Sequence, residues 1–143
     1  MVNVNINSAV VAVELELLII MMAIIWQKNH GVYIVINNTK LLFMGDAGAE
    51  VEEDLLKEYN LKDIDILKVG HHGSKTSSSK KFINSINPKY SIISVGENNS
   101  YGHPNKEVLD NLANSIIYRT DLDGSVKFTF TKKLQIKIAV ERS

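Results

Sequence analysis

From residue 41 to residue 119, apolar runs of strand length alternate with segments of helical period. A strand buried on both faces needs helices laid against it, and strands separated by helices pair in parallel. This alternation limits the chain to a layered α/β fold more tightly than any single motif does. The strand-like runs cover residues 41–44, 64–69, 90–95 and 116–119. Between them, residues 49–59 place Val51, Leu55, Leu56 and Tyr59 on one helical face, with Glu53 and Lys57 one turn apart. Residues 80–86 give a short helix that Pro88 stops. Residues 105–114 give another, with Pro104 suited to its first position.

Upstream, residues 32–36 form a further strand, and the Asn37-Asn38-Thr39-Lys40 connection predicts a hairpin because asparagine tolerates positive φ. Downstream, residues 121–124 predict a turn, and residues 126–131 and 134–140 a terminal hairpin. At 143 residues the chain suits one domain with a substantial core, read as residues 32–143. Residues 1–31 form a divergent apolar N-terminal segment. Within it, residues 10–26 carry only Glu14 and Glu16 as charges, but the uninterrupted part, residues 17–26, is half of the roughly 20 residues a membrane span needs. A core strand or buried helix is the expectation there, with a membrane-associated segment as the alternative.

Lys+Arg and Asp+Glu balance at 16 each, so no global field draws the chain to nucleic acid. The absence of cysteine excludes disulfides and thiolate metal sites. The chemistry concentrates in Gly70-His71-His72-Gly73-Ser74-Lys75, between a strand and a helix. Asp46 closes the preceding strand. One carboxylate with one or two imidazoles is the donor set that suits zinc or manganese. On an extended strand neighbours point to opposite sides, so one of His71 and His72 is expected to face the site. Each element also has a plainer explanation: Asp46 as a turn residue, the histidines as surface loop, and Ser77 to Ser79 as caps of the next helix. The sharper alternative for the serines is a phosphate on the free N–H groups of that helix.

Several motifs occur in order: Leu41-Leu42-Phe43-Met44-Gly45-Asp46-Ala47, Leu67-Lys68-Val69-Gly70-His71-His72-Gly73-Ser74, Ile92-Ile93-Ser94-Val95-Gly96, Tyr101-Gly102-His103-Pro104 and Tyr118-Arg119-Thr120-Asp121. Together they resemble the C-terminal metallo-β-lactamase-fold domain of ComEC-type DNA-uptake proteins and their free-standing metallohydrolase relatives. The resemblance implies an αββα sandwich and a metal-dependent, phosphodiesterase- or nuclease-like hydrolase, with zinc or manganese activating water. It assigns Asp46 and His72 as metal ligands, with His71 beside them, and His103 and Asp121 to catalysis. Ser74, Lys75 and Tyr101 would contact substrate, a DNA strand or another phosphodiester.

The chain departs from the pattern in two respects, the smaller being Met44 where the family usually has threonine. The family's His-x-His-x-Asp-His motif is absent, and the only histidine before Asp46 is His30. The resemblance therefore implies a partial sandwich with an incomplete ligand set. Two alternatives follow: a catalytically inactive nucleic-acid-binding remnant, or half of a split enzyme completed by a complementary N-terminal half. A homo-oligomer is a further expectation. Such a domain is expected to be soluble, in the cytoplasm or on the outer face of a bacterial membrane.

Overall fold

A computed structural model describes residues 2–6, 31–36, 38–130 and 136–141. The expectations for residues 10–26 and for His30 lie outside the described residues. Six strands form one sheet in sequence order: β1 (Val2–Ile6), β2 (Val32–Ile36), β3 (Thr39–Phe43), β4 (Ile66–Lys68), β5 (Tyr90–Ile93) and β6 (Ile116–Arg119). β2 and β3 pair antiparallel with Ile36 opposite Thr39. The hairpin loop is thus two residues long, and Asn38 adopts φ +65°. The second strand begins two residues before the expected position because so tight a turn releases Thr39 and Lys40 into the ladder. β3, β4, β5 and β6 run parallel, and β1 lies parallel to β2 at the other edge.

The connections between parallel strands are helical: α1 (Ala49–Glu58), α2 (Lys80–Ile86), α3 (Lys106–Asn111) and, after β6, the short α4 (Thr120–Asp123). Leu55 of α1, Phe82, Ile83 and Ile86 of α2, and Val108 of α3 are buried in one cluster with Leu42, Leu67 and Ile93 of the sheet. Three helices therefore cover one face, as same-handed crossovers require. Fully burying each such side chain contributes roughly 1.5–3 kcal/mol. On the opposite face Val32, Ile34, Ile36, Leu41 and Ile66 form a second cluster, against which Phe128 packs. Phe128 belongs to β7 (Ser125–Phe130), which pairs antiparallel with β8 (Ile136–Glu141) in a separate two-stranded sheet. The layers are helix, sheet, sheet. The mixed α/β sandwich expected from the sequence is present, with three of its four layers among the described residues.

Several local expectations need correction. Lys57 pairs with Asp54 at 2.9 Å, not with Glu53, which faces Lys81. Pro104 precedes α3 instead of opening it: Asn105 is the N-cap and accepts from the Glu107 amide at 3.0 Å. Residues 120–123 form one helical turn, because Asp123 accepts the Arg119 amide at 2.7 Å and closes it.

Candidate functional site

Parallel strands bring their carboxyl ends to one edge of the sheet, where α/β folds place their ligands. Phe43 is paired with Lys68, so Asp46 and His71, each three residues further on, leave the sheet side by side. The His71 amide donates to the Gly45 carbonyl at 2.7 Å, which fastens the two turns together. Asp46, His71 and His72 are all exposed. Lys68, half-buried at the end of β4, has its pKa lowered by burial, and the nearby Asp46 carboxylate opposes that shift.

The two histidines are not extended. His71 has φ +46°, ψ +43° and His72 has φ +55°, ψ +21°, followed by Gly73 at φ +81°. The strand alternation assumed for the pair is therefore corrected, because alternation belongs to extended backbone and this is a left-handed turn. A left-handed non-glycine residue costs roughly 1–2 kcal/mol. Two in succession persist only where the surroundings over-determine them, as at functional sites.

Those surroundings are dense. The Ser77 hydroxyl donates to the Gly70 and Ser74 carbonyls at 2.9 and 3.0 Å. The Ala49 amide donates to the Thr76 carbonyl at 2.9 Å, and the Asn105 amide to the Gly73 carbonyl at 2.8 Å. Beneath them lies Glu52, 1% exposed. Its carboxylate accepts from the Ser78 amide and, at 2.9 Å, from the Ser79 amide. Ser79 caps α2 by accepting from the Phe82 amide at 3.3 Å. The plainer expectation for the serines, a helix cap, is met by Ser79, and the two amides just before the helix are received by a carboxylate from α1.

His72 donates from Nδ1 to the Ser94 carbonyl at 2.7 Å. A carbonyl only accepts, so Nδ1 carries the proton, and in the neutral ring the lone pair sits on Nε2. His71 Nδ1 lies 3.3 Å from the Thr76 hydroxyl, which can donate or accept and fixes no tautomer. The His71 ring meets that of His103 edge to face at 6.2 Å. His103 in turn stacks on Tyr101 at 6.0 Å, and Tyr101 is 82% exposed. Asn99 holds His103 by its backbone, accepting its amide at 3.0 Å and donating to its carbonyl at 2.8 Å.

The remaining expected residues divide. Lys75 is exposed. Ser74 is buried, with its hydroxyl 3.1 Å from that of Thr76, so it braces the turn from within. Asp121 forms a two-point ion pair with Arg119, whose Nε donates to Oδ1 at 3.0 Å. The hydrogen bond from Arg119 holds the Asp121 carboxyl below the ordinary aspartate value. Both of its oxygens are engaged, which suits a structural clasp better than a base. Glu52, Ser94 and Thr120 were not found by sequence reasoning. In sequence Glu52 is one of several acids on an amphipathic helix, and the Ser94 contact uses a backbone carbonyl that no residue type announces.

The donors fit a divalent metal in kind, a carboxylate and a free imidazole nitrogen on one sheet edge. They do not fit in number. Among the described residues no group of three or more His, Cys, Asp or Glu side chains is placed to hold one ion, whereas a catalytic zinc takes three protein ligands. Among the same residues no helix is long and apolar enough to cross a membrane.

A model of the metallo-β-lactamase superfamily matches residues 28–97. ComE operon protein 3 of Bacillus subtilis is 34% identical over 113 residues, 78% of this chain and 14% of that protein. Competence protein ComA of Neisseria gonorrhoeae is 40% identical over 105 residues, 71% of this chain and 15% of that protein. Recombination protein 2 of Haemophilus influenzae is 34% identical over 117 residues, 78% of this chain and 15% of that protein. The chain thus spans about 15% of the length of these relatives. No solved structure matches it.

Proposed function

The chain belongs to the metallo-β-lactamase superfamily, in the form that matches competence proteins, and from that membership we propose that it contributes to metal-dependent phosphodiester hydrolysis during DNA uptake. In this reading residues 32–143 are the hydrolase-type domain. Asp46 and His72 are its ligands to zinc or manganese, and His71 and His103 line the approach. The observation that carries the proposal is the strained histidine turn. Two consecutive left-handed histidines are held at the carboxyl edge of the sheet, with one imidazole committed by its Nδ1 proton to a carbonyl. A surface loop without a ligand would gain nothing from that geometry.

When bound, such an ion lowers the pKa of water and neutralises phosphate charge. The chain's own residues do the positioning. Asp46 offers a carboxylate beside the Lys68 ammonium, so an anionic substrate meets a cation of the protein as well. Lys75 and Tyr101 are exposed, and in this reading they supply the phosphate and substrate contacts.

The count of ligands favours one second reading, a centre completed by donors outside the described residues, on this chain or a partner. The test is hydrolysis of bis(p-nitrophenyl) phosphate and of labelled single-stranded DNA with added Mn2+ or Zn2+. Cleavage that stops with chelator and falls at least about 100-fold in Asp46→Ala and His72→Ala supports the proposal. Ion binding at Asp46 without cleavage supports the completed-centre reading. Neither binding nor cleavage overturns both.

A further inference from the structure

The contact that orients His72 is itself held from the next strand. Ser94 and Val95 follow β5, where the chain leaves the sheet for the loop of residues 96–104. A carbonyl at a strand end has no ladder partner of its own to fix its direction. Here the next residue is gripped twice. The Val95 amide donates to Thr120 Oγ1 at 2.8 Å, and the Thr120 hydroxyl donates back to the Val95 carbonyl at 2.8 Å. One hydroxyl thus satisfies both backbone groups of Val95, and it leaves the preceding carbonyl, that of Ser94, pointing at His72 Nδ1. Thr120 is in turn fixed by its neighbours. Asp123 accepts the Arg119 amide at 2.7 Å, and the Arg119 guanidinium grips Asp121.

We propose that Thr120 is the positioning residue that sets the tautomer of His72, keeping the proton on Nδ1 and the lone pair on Nε2, by locking the Val95 backbone that presents the Ser94 carbonyl. Thr120 touches neither the ring nor any ligand. Its effect passes through two backbone groups of another strand. The short turn after β6 then has a task of its own: Asp121 and Asp123 hold the backbone that carries Thr120. The consequence for ion affinity rests on the reading of His72 as a ligand; the tautomer assignment does not.

The tautomer is read on the full chain, free of metal, labelled with 15N, from long-range proton–nitrogen correlations of the imidazole rings. The spectra are recorded at a pH of about 8. In the wild type His72 is expected to carry its proton on Nδ1. In Thr120→Val, which keeps shape but removes the hydroxyl, a population protonated on Nε2 is expected, while His71 and His103 keep their patterns. Thr120→Ser restores the wild-type pattern, which a merely structural role for the side chain's bulk would not do. Affinity for Mn2+ or Zn2+ falls about 10- to 100-fold in Thr120→Val and recovers in Thr120→Ser. A wild-type His72 protonated on Nε2 overturns the proposal whatever the variants do. A folded Thr120→Val with an unchanged His72 pattern overturns it too. The expected tautomers without any ion binding would leave Thr120's role standing and remove the metal-site reading instead.

Discussion

Two loops meet at the carboxyl edge of the sheet, and they are built in opposite ways. The histidine turn, residues 70–79, is tied to β3 through Gly45, to β5 through Ser94, to α1 through Ala49 and Glu52, and to the start of α3 through Asn105. Residues 96–104 carry the other rings, Tyr101 and His103, and the Asn99 side chain closes that loop on itself. One loop holds strained backbone in a single geometry; the other leaves an aromatic ring 82% exposed to solvent. Rigid anchoring of that kind is what an inner-sphere ligand needs, since misplacement by an ångström loses the bond. An exposed ring on a self-closed loop suits contact with a larger and more variable partner. The difference separates His72, whose ring is fixed to a backbone carbonyl, from Tyr101, whose ring stands open to solvent.

The contrast can be broken most forcefully where the loops touch. A Cβ on Gly73 would lie 2.7 Å from Pro104 Cβ and 3.1 Å from Pro104 Cα, at φ +81°. Gly73→Ala is expected to destabilise the protein by about 3 kcal/mol, from overpacking together with left-handed strain. Urea denaturation measures it, and a loss below about 1 kcal/mol would mean that the two loops are not pressed together.

Next in size is Glu52→Ala, which leaves the Ser78 and Ser79 amides without their carboxylate. A loss of about 2–3 kcal/mol is expected in the same experiment. Hydrogen exchange should show it spreading into the histidine turn but not into residues 96–104. Exchange rising equally in both loops would erase the distinction between them.

The strain itself predicts a gain. His71→Gly removes the left-handed penalty at φ +46° and is expected to stabilise the fold by up to about 1 kcal/mol while weakening ion binding. A clear loss of stability would show that the turn is not strained there. The smallest effect belongs to the second loop. Tyr101→Ala should change stability by less than about 0.5 kcal/mol, with any effect confined to substrate affinity.

Much of the frame was legible because it depends on period and punctuation. The helix at residues 80–86 begins and ends where the sequence places it: Ser79 caps it and Asn87, at φ +44°, ends it ahead of Pro88. The hairpin at Asn38 followed from its φ tolerance. The candidate site was legible in residue type and not in conformation. Nothing local distinguishes a histidine pair that continues a strand from one that turns left-handed, because the cause lies in bonds to Gly45 and Ser94, 26 residues before His71 and 22 after His72. Glu52 was hidden for the same reason, since its partners Ser78 and Ser79 lie 26 and 27 residues away. Asp121 illustrates the converse. Its motif suggested chemistry, and the structure adds an ion pair with Arg119 that the motif did not announce.

The central claim is that Asp46 and His72 converge on one cation, and paramagnetic Mn2+ tests it directly. Substoichiometric Mn2+ added to the 15N-labelled chain should broaden amide signals around residues 45–47 and 71–73 first, and Asp46→Asn or His72→Gln should each abolish that pattern. Broadening centred elsewhere, or surviving unchanged in both variants, would contradict the account.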